Sequence, residues 1–136
     1  MTTPAFVRTA DERFRPLTDY RFEPHYRQWR GLRVHHLDEG PRDAPVMLLL
    51  HGEPTWSHLY RRIIPRLVAA GHRCIAPDLV GFGRSDKVTD ESWYVVERHC
   101  EHLRWLIEGL DLRRITLVCQ DWGGPTGLRQ AVELPE

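Results

Sequence analysis

Apolar and polar positions along this chain follow two different periods, and the switches between them mark out the elements. Val46-Met47-Leu48-Leu49-Leu50 and Cys74-Ile75-Ala76-Pro77 are continuous apolar runs bounded by turn residues. Such runs read as strands buried on both faces, the pattern of a parallel sheet. Between them, Leu59, Tyr60, Ile63, Ile64, Leu67 and Val68 recur at helical spacing on one face, with Ser57 as an N-cap. Pro65 should bend or shorten that helix, and Gly71 suits its C′ position. A loop rich in Gly and Asp fills 78–90. A second helix is predicted from about Ser92 to Gly109, because Val96, Cys100, Leu103, Ile107 and Leu110 return every three or four residues. Ile115 to Cys119 reads as a third buried strand, and Gly123 to Val132 as a third helix, with Pro125 acceptable in its first turn. Upstream, Tyr26 to Leu37 alternates loosely around Arg30-Gly31, the pattern of a hairpin, and Asp38-Glu39-Gly40-Pro41 closes it. Residues 1–25 are charged and aromatic, punctuated by Pro4, Pro16 and Pro24. They are expected to form an irregular lead-in that packs through Phe6, Phe14 and Tyr20, ahead of a core domain over 26–136. Strand and helix alternate from Val46 onward, so the fold class is α/β with a parallel sheet and two antiparallel strands at one edge.

Composition narrows the function classes. The 136 residues are 41% hydrophobic and 28% charged, with no internal repeat or low-complexity tract. Lys plus Arg balances Asp plus Glu at 19 each, so no net field recruits nucleic acid or an anionic membrane. Cys74, Cys100 and Cys119 have no metal-type spacing, and their odd number suggests reduced thiols in the cytoplasm. No apolar leader and no run of transmembrane length is seen, so a soluble cytoplasmic protein is expected. No metal or organic cofactor is expected.

The chemistry concentrates in Cys119-Gln120-Asp121-Trp122-Gly123-Gly124. A buried strand stops at a polar pair, two glycines follow, and then a helix. A sharp turn of this kind lifts one side chain, here Asp121, above the end of the sheet. Cys119 and Gly123 supply the small residues that the crowded turn needs. The plainer reading is an ordinary strand-to-helix turn whose Asp caps the helix. His51-Gly52-Glu53-Pro54 follows another strand, so both motifs should reach the same rim of the sheet. The backbone N–H groups of Glu53 and Trp122 would then form an oxyanion hole.

Three pieces together, His51-Gly52-Glu53-Pro54-Thr55-Trp56-Ser57, Pro77-Asp78-Leu79-Val80-Gly81-Phe82-Gly83-Arg84-Ser85-Asp86-Lys87 and Gln120-Asp121-Trp122-Gly123-Gly124, resemble the haloalkane dehalogenases of the α/β-hydrolase fold. The resemblance runs from about residue 20 onward. It implies the N-terminal part of that fold and makes Asp121 the nucleophile, displacing halide to form an alkyl ester. A carboxylate suits this task because it is already ionised at neutral pH. The resemblance also makes Trp122 a halide-binding residue through its indole N–H. Glu53, in place of Asn, matches one subgroup of the family. A haloalkane substrate, water and halide ion would be the partners, and a monomer is expected for the full-length family.

Other residues have structural readings. His51 is expected to stiffen its loop. Trp56, Trp93 and Trp105 should pack, Cys119 should be buried, and Asp78 and Asp86 should hydrogen-bond the backbone of their loop. Gly81-Phe82-Gly83 lacks the third glycine of a dinucleotide fingerprint. An ester on Asp121 needs a base to hydrolyse it, yet no His follows Asp121, and the later carboxylates are Glu133 and Glu136. The base, its acid partner and a cap domain are therefore expected to be missing, leaving the N-terminal part of a truncated or split enzyme that is alkylated at most once, without turnover. The strand 115–119 should then be an open edge. Epoxide hydrolases, which share the Asp turn, are a second enzyme reading, disfavoured by Gln120 where they place His. A non-catalytic half-domain that pairs with another chain is the third.

Overall fold

The computed structural model describes residues 2–134. Among the described residues, seven strands and three α-helices follow one another: β1 (Phe6–Val7), β2 (His25–Trp29), β3 (Leu32–Glu39), β4 (Val46–Leu50), α1 (Ile64–Ala69), β5 (Arg73–Pro77), β6 (Lys87–Val88), α2 (Val96–Gly109), β7 (Thr116–Cys119) and α3 (Gly123–Glu133). The main sheet has the order β2-β3-β5-β4-β7. β2 and β3 form the predicted antiparallel hairpin, with Trp29 opposite Leu32. Its two-residue turn places both Arg30 (φ 52°) and Gly31 (φ 81°) in the left-handed region, the geometry whose twist matches the flanking strands. β3 runs antiparallel to β5, while β4 lies parallel to β5 on one side and to β7 on the other. The mixed sheet therefore follows the sequence pattern.

Alternation along β4 builds two cores. Leu48 and Leu50 pack with Ile75, Leu103, Leu106 and Ile107 under α2. Leu49 points the other way, to Tyr20, Tyr60 and Ile64 beside α1. All three β4 leucines are sealed, as expected of an apolar strand covered on both faces. A third cluster of Trp29, Leu32, Val34, Val80 and Val88 closes the hairpin end.

Several local expectations change. Ser57 does not cap a helix. A 3₁₀ turn spans Ser57–Tyr60, and the Ser57 hydroxyl pairs with that of Tyr20 while its N–H donates to Asp78 Oδ1 at 2.7 Å. The α-helix starts only at Ile64, because Pro65 lacks the N–H for an interior turn and is tolerated in the first one. Leu59 and Ile63 are consequently exposed. At the other end of α1 the His72 N–H reaches Leu67 O and the Gly71 N–H reaches Val68 O, a Schellman closure. The second helix begins at Val96, four residues later than its periodicity predicts, after a 3₁₀ turn at Glu91–Trp93 capped by Asp90. The lead-in is partly ordered: β1 pairs antiparallel with β6 in what the sequence reads as loop. Phe14 and Tyr20 are buried, whereas Phe6 is exposed. Beyond this strap, Arg8 grips the fully buried Asp86 through Nε at 2.6 Å and Nη2 at 2.8 Å. Among the described residues, no helix is long and apolar enough to cross a membrane.

Candidate active site

The sheet order creates the site. The loop after β4 leads to the 3₁₀ turn and α1 on one face. The turn after β7 leads to α3, which packs on α2 over the opposite face. β4 and β7 are neighbours, so their outgoing loops diverge and leave a crevice at the carboxyl ends of the strands. His51-Gly52-Glu53 and Gln120-Asp121-Trp122 meet there, 68 residues apart in sequence.

Asp121 sits at φ 53°, a left-handed conformation that strains a residue with a side chain. The close packing of the neighbouring turns holds it there. A Cβ on Gly123 would overlap the carbonyl oxygen of Leu50, and a Cβ on Gly52 would overlap Asp121 Cβ, so both positions exclude a side chain. The carboxylate does not cap α3; the cap residue is Trp122, and no side chain caps the helix. Instead Asp121 Oδ1 accepts the backbone N–H of Glu53 at 3.0 Å. Gln120 Oε1 accepts the N–H of Gly52 at 3.1 Å and laces the two loops together. Sequence reading gave Gln120 no such duty. The backbone N–H of Trp122 and the second carboxylate oxygen, Oδ2, have no hydrogen-bond partner among the described residues. One predicted oxyanion donor is thus already engaged on Asp121, and the other is free.

His51 is buried with both ring nitrogens occupied: Nδ1 bonds Gly52 O at 2.9 Å, and Nε2 accepts the Leu79 N–H at 3.0 Å. Burial holds its pKa below the ordinary value, so the ring is a neutral brace for the loop. Asp78 is sealed, accepting from Ser57 N and Arg84 N and pairing with His35 Nδ1 at 2.8 Å. Despite the desolvation that raises it, these bonds hold its pKa below the usual carboxylate range. Asp78 therefore ties its own loop, as expected, whereas Asp86 accepts the N–H of Arg33 on β3. Trp56 stacks on His58 and leans on Tyr20 and Phe14, Trp93 packs edge-on to Trp29, and Trp105 lies under Arg27. Cys119 departs from expectation: it is exposed, because it ends β7, and β7 has no neighbour on its outer side among the described residues.

Beside Asp121 opens a cleft of about 490 Å³, with Glu53 and Trp122 in its wall and Leu79, Phe82, Tyr94 and His99 among its lining. Trp122 is 50% exposed. Tyr94 and His99 escaped sequence reading: one lies between helical segments, and the other is a polar position in a helix judged by its apolar stripe.

The family profile described as alpha/beta hydrolase fold matches residues 45–136. This chain belongs to the α/β-hydrolases. Among its relatives, this α/β-hydrolase chain is 56% identical over 135 residues to a haloalkane dehalogenase of Psychrobacter cryohalolentis, covering 96% of this chain and 45% of that protein. It is 51% identical over 135 residues to one of Mycolicibacterium paratuberculosis, with the same coverage. The chain thus spans less than half the length of these curated relatives. The tetrameric haloalkane dehalogenase DpaA of Paraglaciecola agarilytica superposes with a TM-score of 0.92 at 48% identity, over 96% of this chain and 46% of that one. Epoxide hydrolase A of Mycobacterium thermoresistibile superposes less closely, with a TM-score of 0.73 at 27% identity, over 83% of this chain and 35% of that one.

Proposed function

We propose that this chain carries the nucleophile side of a haloalkane dehalogenase. The observation that carries the reading is the carboxylate of Asp121, lifted out of the sheet on a strained turn with one oxygen tethered and one free. The Glu53 N–H orients Oδ1 and leaves Oδ2 to attack the carbon in line with the departing halogen. The C–O bond forms as the C–X bond breaks, and the electron pair leaves on the halide. Trp122, half-exposed in the cleft wall, donates its indole N–H to the halide as its charge develops. In the second step water adds to the ester carbonyl, whose oxygen gathers charge between the N–H groups of Glu53 and Trp122. Alcohol leaves, a proton is released, and the carboxylate returns.

That second step needs a base. Among the described residues the histidine–carboxylate pair is His35–Asp78, with both side chains at 0% exposure, His51 is fully engaged, and His99, which lines the cleft, pairs with no carboxylate to orient it and draw a proton from water. Without such a pair at the cleft, the described residues form the ester once. The identity to haloalkane dehalogenases, higher than that to an epoxide hydrolase, and the close overlay on DpaA favour halide displacement over epoxide opening. Haloalkane, water and halide are the partners this reading requires. Three free cysteines suit a reducing, cytoplasmic setting.

Incubation of the chain with dibromoethane, followed by intact-mass and peptide mass spectrometry, tests the reading. One bromoethyl group on Asp121 and one bromide per chain are expected, with no label in Asp121→Asn. A folded wild-type chain that stays unlabelled would overturn the assignment, and sustained bromide release would overturn the single-turnover claim.

A further inference from the structure

Two of the polar side chains lining the cleft are committed within the fold, and Glu53 and Trp122 belong to the wall beside Asp121. The Tyr94 hydroxyl donates to Val88 O at 2.8 Å, and the Thr126 hydroxyl donates to Trp122 O at 2.9 Å. His99 is different. It stands in the first turn of α2, with its ring wedged against Phe82, Trp93 and Tyr94 at centroid distances of 6.5, 6.5 and 6.2 Å. Nδ1 is buried with no partner, and Nε2, on the ring that lines the cleft, takes none among the described residues. Burial, then the nearby His51, pushes its pKa down to about 4, so the ring is neutral at pH 7. A proton on Nε2 presents a donor to the cleft and leaves Nδ1 as a bare lone pair, whereas the other tautomer would bury an unpaired N–H.

The geometry points to His99 as a specificity-determining residue, whose Nε2–H anchors an oxygen acceptor on the haloalkyl chain while Asp121 and Trp122 act on its carbon–halogen end. The substrate class is haloalkanes bearing a hydroxyl or ether oxygen remote from the halogen. This inference rests on the reaction proposed above. Aromatic packing on several sides fixes the ring, so the anchor is organised before substrate arrives. Leu79, Phe82, Val95 and Val96 in the same lining are apolar and favour the hydrocarbon part, while the charged Glu53 side chain stands with Trp122 in the wall beside Asp121.

The test compares labelling of Asp121 by bromobutanol, with a terminal hydroxyl, and by bromobutane, in the wild type, His99→Phe and His99→Gln. The preference for bromobutanol should fall about 3- to 10-fold in His99→Phe, the range of one neutral hydrogen bond, and recover in part in His99→Gln. A purely structural histidine would change both rates alike, so an unchanged ratio overturns the inference. A second measurement needs no reaction: in the wild-type chain with isotope-labelled histidine, the His99 Nε2 resonance should move on adding butanediol. A motionless resonance overturns the anchor. Failure of every haloalkane to label Asp121 would overturn the reaction, while the resonance would still decide the role of His99.

Discussion

Adding one methyl group at Gly52 probes the site through geometry alone. No unusual backbone angle is required at Gly52, so Ala is barred by sterics alone: its Cβ would overlap Asp121 Cβ and Oδ1 and the carbonyl oxygen of Gln120. To relieve it, one of the two loops must retreat, and the 3.0 Å bond from Glu53 N–H to Asp121 Oδ1 spans that same gap. A hydrogen bond to a charged group contributes about 1.5–3 kcal/mol. Its loss should slow labelling of Asp121 roughly 10- to 100-fold. Overpacking should also cost about 1–3 kcal/mol of stability. Gly124 provides the control: it is the second residue of α3, and its Cβ would meet nothing within 4 Å. Gly124→Ala should label at the wild-type rate and gain about 0.5–1 kcal/mol, because Ala loses less entropy in a helix. Single-turnover mass spectrometry and urea unfolding on both variants measure the two effects. A folded Gly52→Ala chain that labels as fast as wild type would refute the view that the tethered oxygen organises the carboxylate.

Other consequences are as specific. Trp122→Phe keeps the ring but removes the indole N–H, and should slow labelling by bromoalkanes about 10-fold or more if that N–H holds the developing halide; an equal rate would remove Trp122 from the reaction. Arg8→Ala leaves Asp86 buried with only the Arg33 N–H, and should cost about 3–5 kcal/mol in chemical denaturation; a loss below about 1 kcal/mol would show that the strap is incidental. Acid should unfold the chain early. Burial pushes His36 and His99 down to about 4 and His102 to about 3, so below the ordinary value of 6.5 the unfolded chain binds protons that the folded one refuses. Stability is therefore full above pH 6.5 and falls as pH drops from there toward 4, by about 1.4 kcal/mol per pH unit for each such histidine. His102→Phe, which preserves the stack on Trp29, should flatten that slope, and a slope unchanged from wild type would count against the buried histidine as its source.

Much of this protein is written in its local patterns. The unbroken apolar runs at 46–50 and 74–77 determine central strands, because only a strand covered on both faces can use such a run. Arg30-Gly31 determines a hairpin through its turn geometry, and Cys119-Gln120-Asp121-Trp122-Gly123 determines a sharp turn, because the small residues flank the one position that is raised. Local patterns could not show which residues from distant segments share a wall. Ser57 looks like a cap by composition, but the buried Asp78 carboxylate claims its N–H. Cys119 belongs to an apolar run, yet it is exposed because its strand lies at the edge of the sheet. The bond from Glu53 N–H to Asp121 and the lacing by Gln120 depend on β4 and β7 being neighbours whose loops part to opposite faces, and the aromatic cage around His99 on the segment between β5 and α2 folding back against the start of that helix. That adjacency is a property of sheet order. Contacts across 68 residues arise when strands are packed side by side, and no local period along the chain encodes them.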